Sequence, residues 1–286
     1  MKQQVILITG ATSGIGRHAA LHLAAAGHRV FATGRRTEAL ASLQEEAGKL
    51  ALETFALDVN QPASIDAAVA EVEKRTDGYG LDVLVNNAGY GKFGPLALVP
   101  DAEMRGQFET NVFGLLKMCQ AFIPKMRERG SGKIINVGSV LGRMTLILQG
   151  VYGATKYAVE ALSDNLRREV ACFGIHVSIV EPGMIRTNFE GTAGQDIGLY
   201  LEDPIYGPAV RRYAEEGEKM YKKAPGPESV SRAIAHAVHA TRPRARYIAP
   251  FHNTFMLFLM HLLPTRLSDW IFKKMTGLRK ATPLRS

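Results

Sequence analysis

The amino-acid sequence predicts an α/β fold: a doubly wound, mostly parallel sheet of seven strands with helices on both faces. Two features predict it. Short β-branched, nearly all-apolar runs alternate with longer helical patterns along the whole chain, and a glycine-rich turn joins the first run to the first helix. The strand candidates are residues 5–9, 29–33, 52–57, 81–86, 133–137, 176–180 and 246–248. Several carry almost no polar residue, as parallel strands covered on both faces do. Helical patterns lie between them, near 14–26, 37–48, 62–77, 107–129, 152–173 and 227–240. A helix between successive strands implies right-handed crossovers. Such sheets bind ligands outside the carboxyl ends of their strands. The residues just after each strand are therefore the candidates for function.

The 286 residues suffice for one domain spanning 1–286, with 188–225 expected as an irregular substrate lid and 250–286 as a basic, apolar extension. With 46% hydrophobic and 22% charged residues, the composition is that of an ordinary globular protein. Cys119 and Cys172 lie far apart inside helical patterns and form no redox or ligand motif, so no metal is expected and a reducing compartment fits. Met1 leads almost directly into the first apolar run, leaving no room for a secretory signal. No apolar run reaches the length of a spanning helix. The expected location is cytoplasmic, peripheral at a membrane surface if the tail binds one.

The formal charge of +8 is not spread evenly. Residues 242–286 hold nine Lys or Arg against the single acid Asp269, and 1–241 hold 26 basic and 26 acidic residues. A nucleic-acid binder would carry its basic surface on the fold itself, and a neutral body argues against that class.

Directly after the first strand the chain reads Thr9-Gly10-Ala11-Thr12-Ser13-Gly14-Ile15-Gly16. Gly10, Gly14 and Gly16 allow a tight turn, close approach to a pyrophosphate and packing of the helix on the sheet. The helix start offers unpaired N–H groups and a partial positive charge. Thr9, Thr12, Ser13 and Ile15 complete this candidate cradle. A tight strand–helix turn without ligand is the competing reading, but the strand-before, helix-after context is what a dinucleotide fingerprint requires.

After the second strand comes Ala32-Thr33-Gly34-Arg35-Arg36. NAD sites usually place a carboxylate there for the ribose 2′-hydroxyl. Here Gly34 takes that place and Arg35 and Arg36 follow, suited to a 2′-phosphate. At roughly 1.5–3 kcal/mol per charged hydrogen bond, one well-placed arginine favours the phosphorylated cofactor about tenfold to a hundredfold. NADP(H) is therefore the expected cofactor, with Arg17 as a third candidate contact.

Four further segments complete a pattern: Asn86-Asn87-Ala88-Gly89 after the fourth strand, Asn111 within a helix, Ser139 after the fifth strand, and Tyr152-Gly153-Ala154-Thr155-Lys156. With residues 9–16 they resemble the short-chain dehydrogenase/reductase family, in order and spacing, over roughly residues 3–250. Tyr152 and Lys156 are four apart, one turn along one helix face. A free tyrosine titrates near pH 10, so its anion costs roughly 4 kcal/mol at pH 7. A neighbouring ammonium lowers that cost. The resemblance implies a Rossmann-like fold, Tyr152 as general acid/base, Ser139 orienting the substrate oxygen, and Lys156 also holding the nicotinamide ribose. It implies that Asn111 kinks its helix and holds a relay water. It further implies that Asp58 and Val59 contact the adenine, that Asn86, Ala88 and Gly89 line the middle of the cofactor, and that Pro182, Gly183, Ile185 and Thr187 hold the nicotinamide carboxamide. Gly138 stands where a second serine is frequent in the family, with Ser139 still in register.

The stretch 156–183 looks most like the hydroxysteroid and retinol dehydrogenase branch. Segments expected near the substrate are apolar: Leu141, Met144, Leu146, Ile147, Leu148, Met184, Phe189, Tyr200 and Tyr206. A large apolar alcohol or ketone fits them better than a sugar or small acid; the competing reading is that several simply pack the lid. The segment 250–286, whose run 255–263 is rich in Phe, Met and Leu and flanked by cations, fits an interfacial membrane helix, a cap on the pocket or a contact with a second subunit. The expected assembly is a homodimer or homotetramer. A non-catalytic NADP-sensing regulator or scaffold is the alternative from another class, disfavoured because it would not need Asn111, Ser139, Tyr152 and Lys156 together. Sugar epimerases of the extended relatives use a different glycine spacing.

Overall fold

The apolar runs pair into one all-parallel sheet of seven strands, ordered β3-β2-β1-β4-β5-β6-β7, in a computed structural model that describes residues 2–187 and 197–276. The strands are β1 (Val5–Ile8), β2 (Arg29–Gly34), β3 (Leu52–Ala56), β4 (Val83–Asn86), β5 (Gly132–Val137), β6 (Ile175–Pro182) and β7 (Arg246–Ala249). Strand order reverses between β1 and β4, which opens a crevice above their carboxyl ends. Within β1, alternation sends Ile6 and Ile8 into one hydrophobic layer and Leu7 into the other, and Val83, Val85 and Leu84 of β4 divide likewise. All six side chains are fully buried, which explains the continuous apolar runs.

The first layer is closed by α1 (Gly14–Ala25), α2 (Thr37–Ala47) and α8 (Glu228–His239). The second is closed by α3 (Pro62–Arg75), α5 (Leu115–Glu128) and α6 (Gly150–Val170). A third, smaller cluster sits above the sheet and joins Phe93, Leu141, Tyr152, Tyr200, Val210 and Leu257.

Two expectations need correction, and a third gains detail. The helix expected over 107–129 begins earlier, as α4 (Asp101–Phe108), and passes through a π-helical turn (Glu109–Gly114) into α5. Residues 188–225 are not irregular throughout: a 3-10 turn covers Gly198–Tyr200 and α7 covers Gly207–Lys223. Only Gly207, Ala209 and Val210 of α7 are buried, so its apolar periodicity is thin. Charged pairs one turn apart support it instead, Lys219–Glu216 at 2.9 Å and Lys222–Glu218 at 2.7 Å. Finally, the tail forms two helices, α9 (Asn253–Leu262) and α10 (Thr265–Thr276), parted at Pro264. Among the described residues, no helix is long and apolar enough to cross a membrane and no cluster of three or more His, Cys, Asp or Glu is arranged for a metal.

Candidate active site

A cavity of about 850 Å³ runs along the carboxyl edge of the sheet. At one end lies the β1–α1 turn. Gly10 has φ of +66°, and a Cβ there would stand 2.8 Å from the Ala88 backbone, so only glycine lets the two strand ends approach. Ser13 precedes α1 in an extended conformation and makes no side-chain cap bond, leaving the first N–H groups of the helix to the cavity. Gly10, Thr12, Ser13, Gly14 and Ile15 line this end, followed by Gly34, Arg35, Arg36, Asp58 and Val59. Arg36 donates to the Thr12 hydroxyl at 3.1 Å. Among the described residues neither Arg35 nor Arg36 has a carboxylate partner. A narrow glycine turn on a helix start, with two such guanidinium groups beyond it, has the shape and charge to hold a dinucleotide phosphate chain.

Some expected contacts lie behind this wall. Thr9 is buried and its hydroxyl accepts from the N–H groups of Asn87 (3.0 Å) and Ala88 (2.9 Å), locking the two turns together. Gly16 packs against Asn87 and the Gly10 carbonyl. Asn86, the last residue of β4, turns inward and donates to Asn136 at 3.0 Å and Cys119 at 3.2 Å. Asn87, one residue past the strand, lines the cavity in its place; the strand's two-residue period would have signalled that swap. Arg17 is not a cavity residue. Its guanidinium is committed to Glu46 and the Ala39 carbonyl.

At the other end the four candidate catalytic residues converge. Tyr152 and Lys156 project from the first turns of α6, both buried, with the ammonium 5.7 Å from the centre of the Tyr152 ring. Phe93 meets that ring edge-on at 5.9 Å. Lys156 donates to the Val137 carbonyl at 2.9 Å. Burial lowers the lysine to about 8, partly offset by the Glu160 carboxylate one turn along the helix. Glu160 is itself pushed up to about 7 by burial and by neighbouring Glu181, against the pull of Arg246 and Arg143. Ser139 leaves β5 in extended conformation, and its hydroxyl accepts from Leu141 N–H at 3.1 Å.

Asn111 sits in the π-helical turn, where the hydrogen-bond step is one residue longer than in an α-helix. Its amide clasps the Tyr90 backbone, accepting from N–H at 3.0 Å and donating to the carbonyl at 2.8 Å, and donates to Thr155 at 3.1 Å. Asn111 and Lys156 both face Gly89: a Cβ there would stand 3.0 Å from Asn111 Oδ1 and 3.8 Å from Lys156 Nζ.

Beyond Ser139 and Tyr152 the wall is mostly apolar, with Gln149, Arg212 and Glu216 as polar members. Leu141, Met144, Leu146, Ile147 and Met184 line it, together with Pro182, Gly183, Ile185 and Thr187 of the loop after β6. Leu148, Tyr200 and Tyr206 pack behind the wall in the third cluster; they brace it rather than face the cavity. Phe189 lies outside the described residues. Tyr213 and Met220 of α7, within the stretch expected as a lid, and Met260, Ile271 and Phe272 of the tail, for which a cap on the pocket was one of three readings, complete the roof. Asn253 anchors that roof, because a Cβ on Gly183 would fall 2.0 Å from its Nδ2.

Comparison with known proteins agrees with this architecture. A family model described as short chain dehydrogenase matches residues 4–198. The chain is 34% identical over 280 residues to the NADPH-dependent 3-dehydrocapnine reductase of Ornithobacterium rhinotracheale, covering 96% of this chain and 98% of that one. It is 36% identical over 258 residues to 17-beta-hydroxysteroid dehydrogenase type 1 of Homo sapiens, covering 86% and 77%. A solved short-chain dehydrogenase from Streptomyces avermitilis matches with a TM-score of 0.78 at 35% identity, over 96% of this chain and 98% of that chain. With a family model matching more than half of its length and relatives matching nearly all of it, the chain belongs to the short-chain dehydrogenase family, as an oxidoreductase with a Rossmann-like fold.

Proposed function

We propose that this oxidoreductase interconverts an alcohol and a ketone or aldehyde on a large apolar substrate, using NADP(H), with Tyr152 as the proton-transferring group. The observation that carries the reading is the meeting of Tyr152, Lys156 and Ser139 at the inner end of a cavity whose outer end is a phosphate-shaped turn. When bound, the nicotinamide supplies or accepts the hydride at the carbonyl carbon. The Tyr152 phenol gives its proton to the substrate oxygen in reduction and takes it back in oxidation. Ser139 holds that oxygen as charge develops on it. Lys156, lowered to about 8 by burial, favours the phenolate in its ammonium form and would hold the ribose hydroxyls. Asn111 holds the loop at Tyr90 and Thr155 in place around Lys156, and a water relayed through this corner would return the proton to solvent.

Arg35, Arg36 and the missing acid at Gly34 support NADP(H), and the relative named as NADPH-dependent points the same way. The wall formed by Leu141, Met144, Ile147 and Met184 supports a steroid-, retinoid- or long-acyl-like substrate. The test is turnover of NADPH and NADH against steroid ketones, retinal, fatty aldehydes and sugar ketones. Apolar carbonyls with NADPH are expected to lead. Tyr152→Phe is expected to lower kcat by about 10²–10⁴-fold while NADPH affinity, read by fluorescence, stays near wild type. A Tyr152→Phe enzyme turning over at the wild-type rate would overturn the assignment.

A further inference from the structure

Helices α9 and α10 have two different faces. The inner face belongs to the molecule: Leu257 is 1% exposed within the third cluster, and Met260, Ile271 and Phe272 roof the cavity. The outer face is apolar too, and open. Phe251, Phe255, Phe258, Leu262, Leu267 and Trp270 are between 43% and 79% exposed. Phe255, Phe258 and Leu262 recur at helical spacing, so they form a stripe along α9 pointing away from the core, with Phe251 exposed in the turn just before it. Folded proteins seldom leave contiguous aromatic and aliphatic surface of this kind to water unless something covers it.

The surrounding charge identifies the cover. Arg266, Lys273 and Lys274 are exposed on α10, with Asp269 the only acid among residues 242–286. Lys274 lies 5.2 Å from the centre of the Trp270 ring, an amphipathic pair suited to the level of lipid headgroups. The helices hold 10 and 12 residues, about 15 and 18 Å long, too short to span a hydrocarbon core of about 30 Å. They are suited to lying in its surface. A second copy of the chain would set one cationic face against another, whereas an anionic bilayer complements both the stripe and its charge.

We infer that α9 and α10 form a docking surface for an anionic lipid bilayer, seating the roof of the catalytic cavity at the headgroup–acyl boundary. Docking stands independently of the substrate assigned above. If that substrate is apolar, the arrangement lets it pass from bilayer to cavity without crossing water.

The experiment is co-sedimentation of the full chain with vesicles of phosphatidylcholine alone and of equal parts phosphatidylcholine and phosphatidylglycerol, with size-exclusion chromatography in parallel. Wild type is expected to pellet with the anionic vesicles. The variant F255S/F258S/W270S is expected to stay in the supernatant, and K273E/K274E to lose about tenfold or more in partitioning. The substituted side chains are all exposed and off the cavity wall, so both variants should keep the wild-type Tm and wild-type turnover of a water-soluble carbonyl. Wild type remaining in the supernatant with both vesicles would overturn the inference. So would wild type eluting as a dimer that F255S/F258S/W270S dissociates, which would assign the stripe to a second copy. Loss of turnover in Tyr152→Phe would leave the sedimentation result unaffected, so the two readings fail separately.

Discussion

Glu160 is the residue whose surroundings ask most of it. It stands one turn beyond Lys156, accepts from the Arg246 guanidinium at 3.1 Å, and shares that arginine with Asp164. Glu181, fully buried, lies 3.3 Å from Arg246 and 3.5 Å from Arg143. Burial lowers Lys156, and the Glu160 carboxylate opposes that lowering. Removing the negative charge should therefore let Lys156 lose its proton at lower pH. The expected outcome for Glu160→Gln is an alkaline limb of the kcat profile displaced toward neutrality, with the Tm little changed because the amide still accepts from Arg246. A profile superimposable on wild type would show that the carboxylate does not act on the lysine. Tyr152 and Lys156 could be nominated from sequence because their types and spacing carry chemistry, and Ser139 because the resemblance implies its role. Glu160 could not, since a glutamate on a helix is ordinarily solvated, and only the packing of β6 and β7 against α6 buries it.

At the scale of elements, the tail matters most. Three readings of 250–286 were open from sequence: cap, membrane contact and subunit contact. The described part caps the cavity through its inner face, and its outer face remains for a partner. The cap has a measurable consequence. Ile271→Ala together with Phe272→Ala removes apolar wall, and each methylene lost from such a pocket is worth about 1–3 kcal/mol of discrimination. The expected outcome is a KM raised roughly tenfold or more for a long-chain carbonyl, with kcat/KM for a short aldehyde held near wild type. Equal losses for both substrates would mean that the helices support the fold rather than the pocket. The π-helical turn at Asn111 belongs to this scale as well. A helix could be predicted there, but the inserted residue is set by the clasp on Tyr90, a partner 21 residues away.

The whole molecule carries a pH dependence at the edge of the sheet remote from the cavity. His28, before β2, meets His239, at the end of α8, with Nε2 atoms 2.8 Å apart. One ring must donate and the other accept, so the contact needs neutral imidazole. Burial first, then the charge of the other ring, lowers His28; burial and Lys133 lower His239. Both groups thus bind protons less readily folded than unfolded. Their contribution to stability is fully present above the unfolded value near 6.5 and is lost as pH falls through the lower folded values. Urea midpoints measured between pH 7.5 and pH 5 should fall with acid, and more steeply in wild type than in His239→Gln. Parallel slopes would remove the pair from the account.

The sequence by itself determined the strand–helix alternation, the glycine turn on the first helix, the pair of arginines after β2 and the Tyr152–Lys156 helix turn. These are local facts: two- and four-residue periods and special backbone positions are set by neighbours along the chain. Tertiary structure decided which side of a strand end faces the cavity, so that Asn87 replaced Asn86 on the wall and Arg17 was withdrawn to Glu46. It also decided that α7 and the tail would roof the pocket, because helices whose buried face is sparse are held by what they pack against, and that partner is distant in sequence.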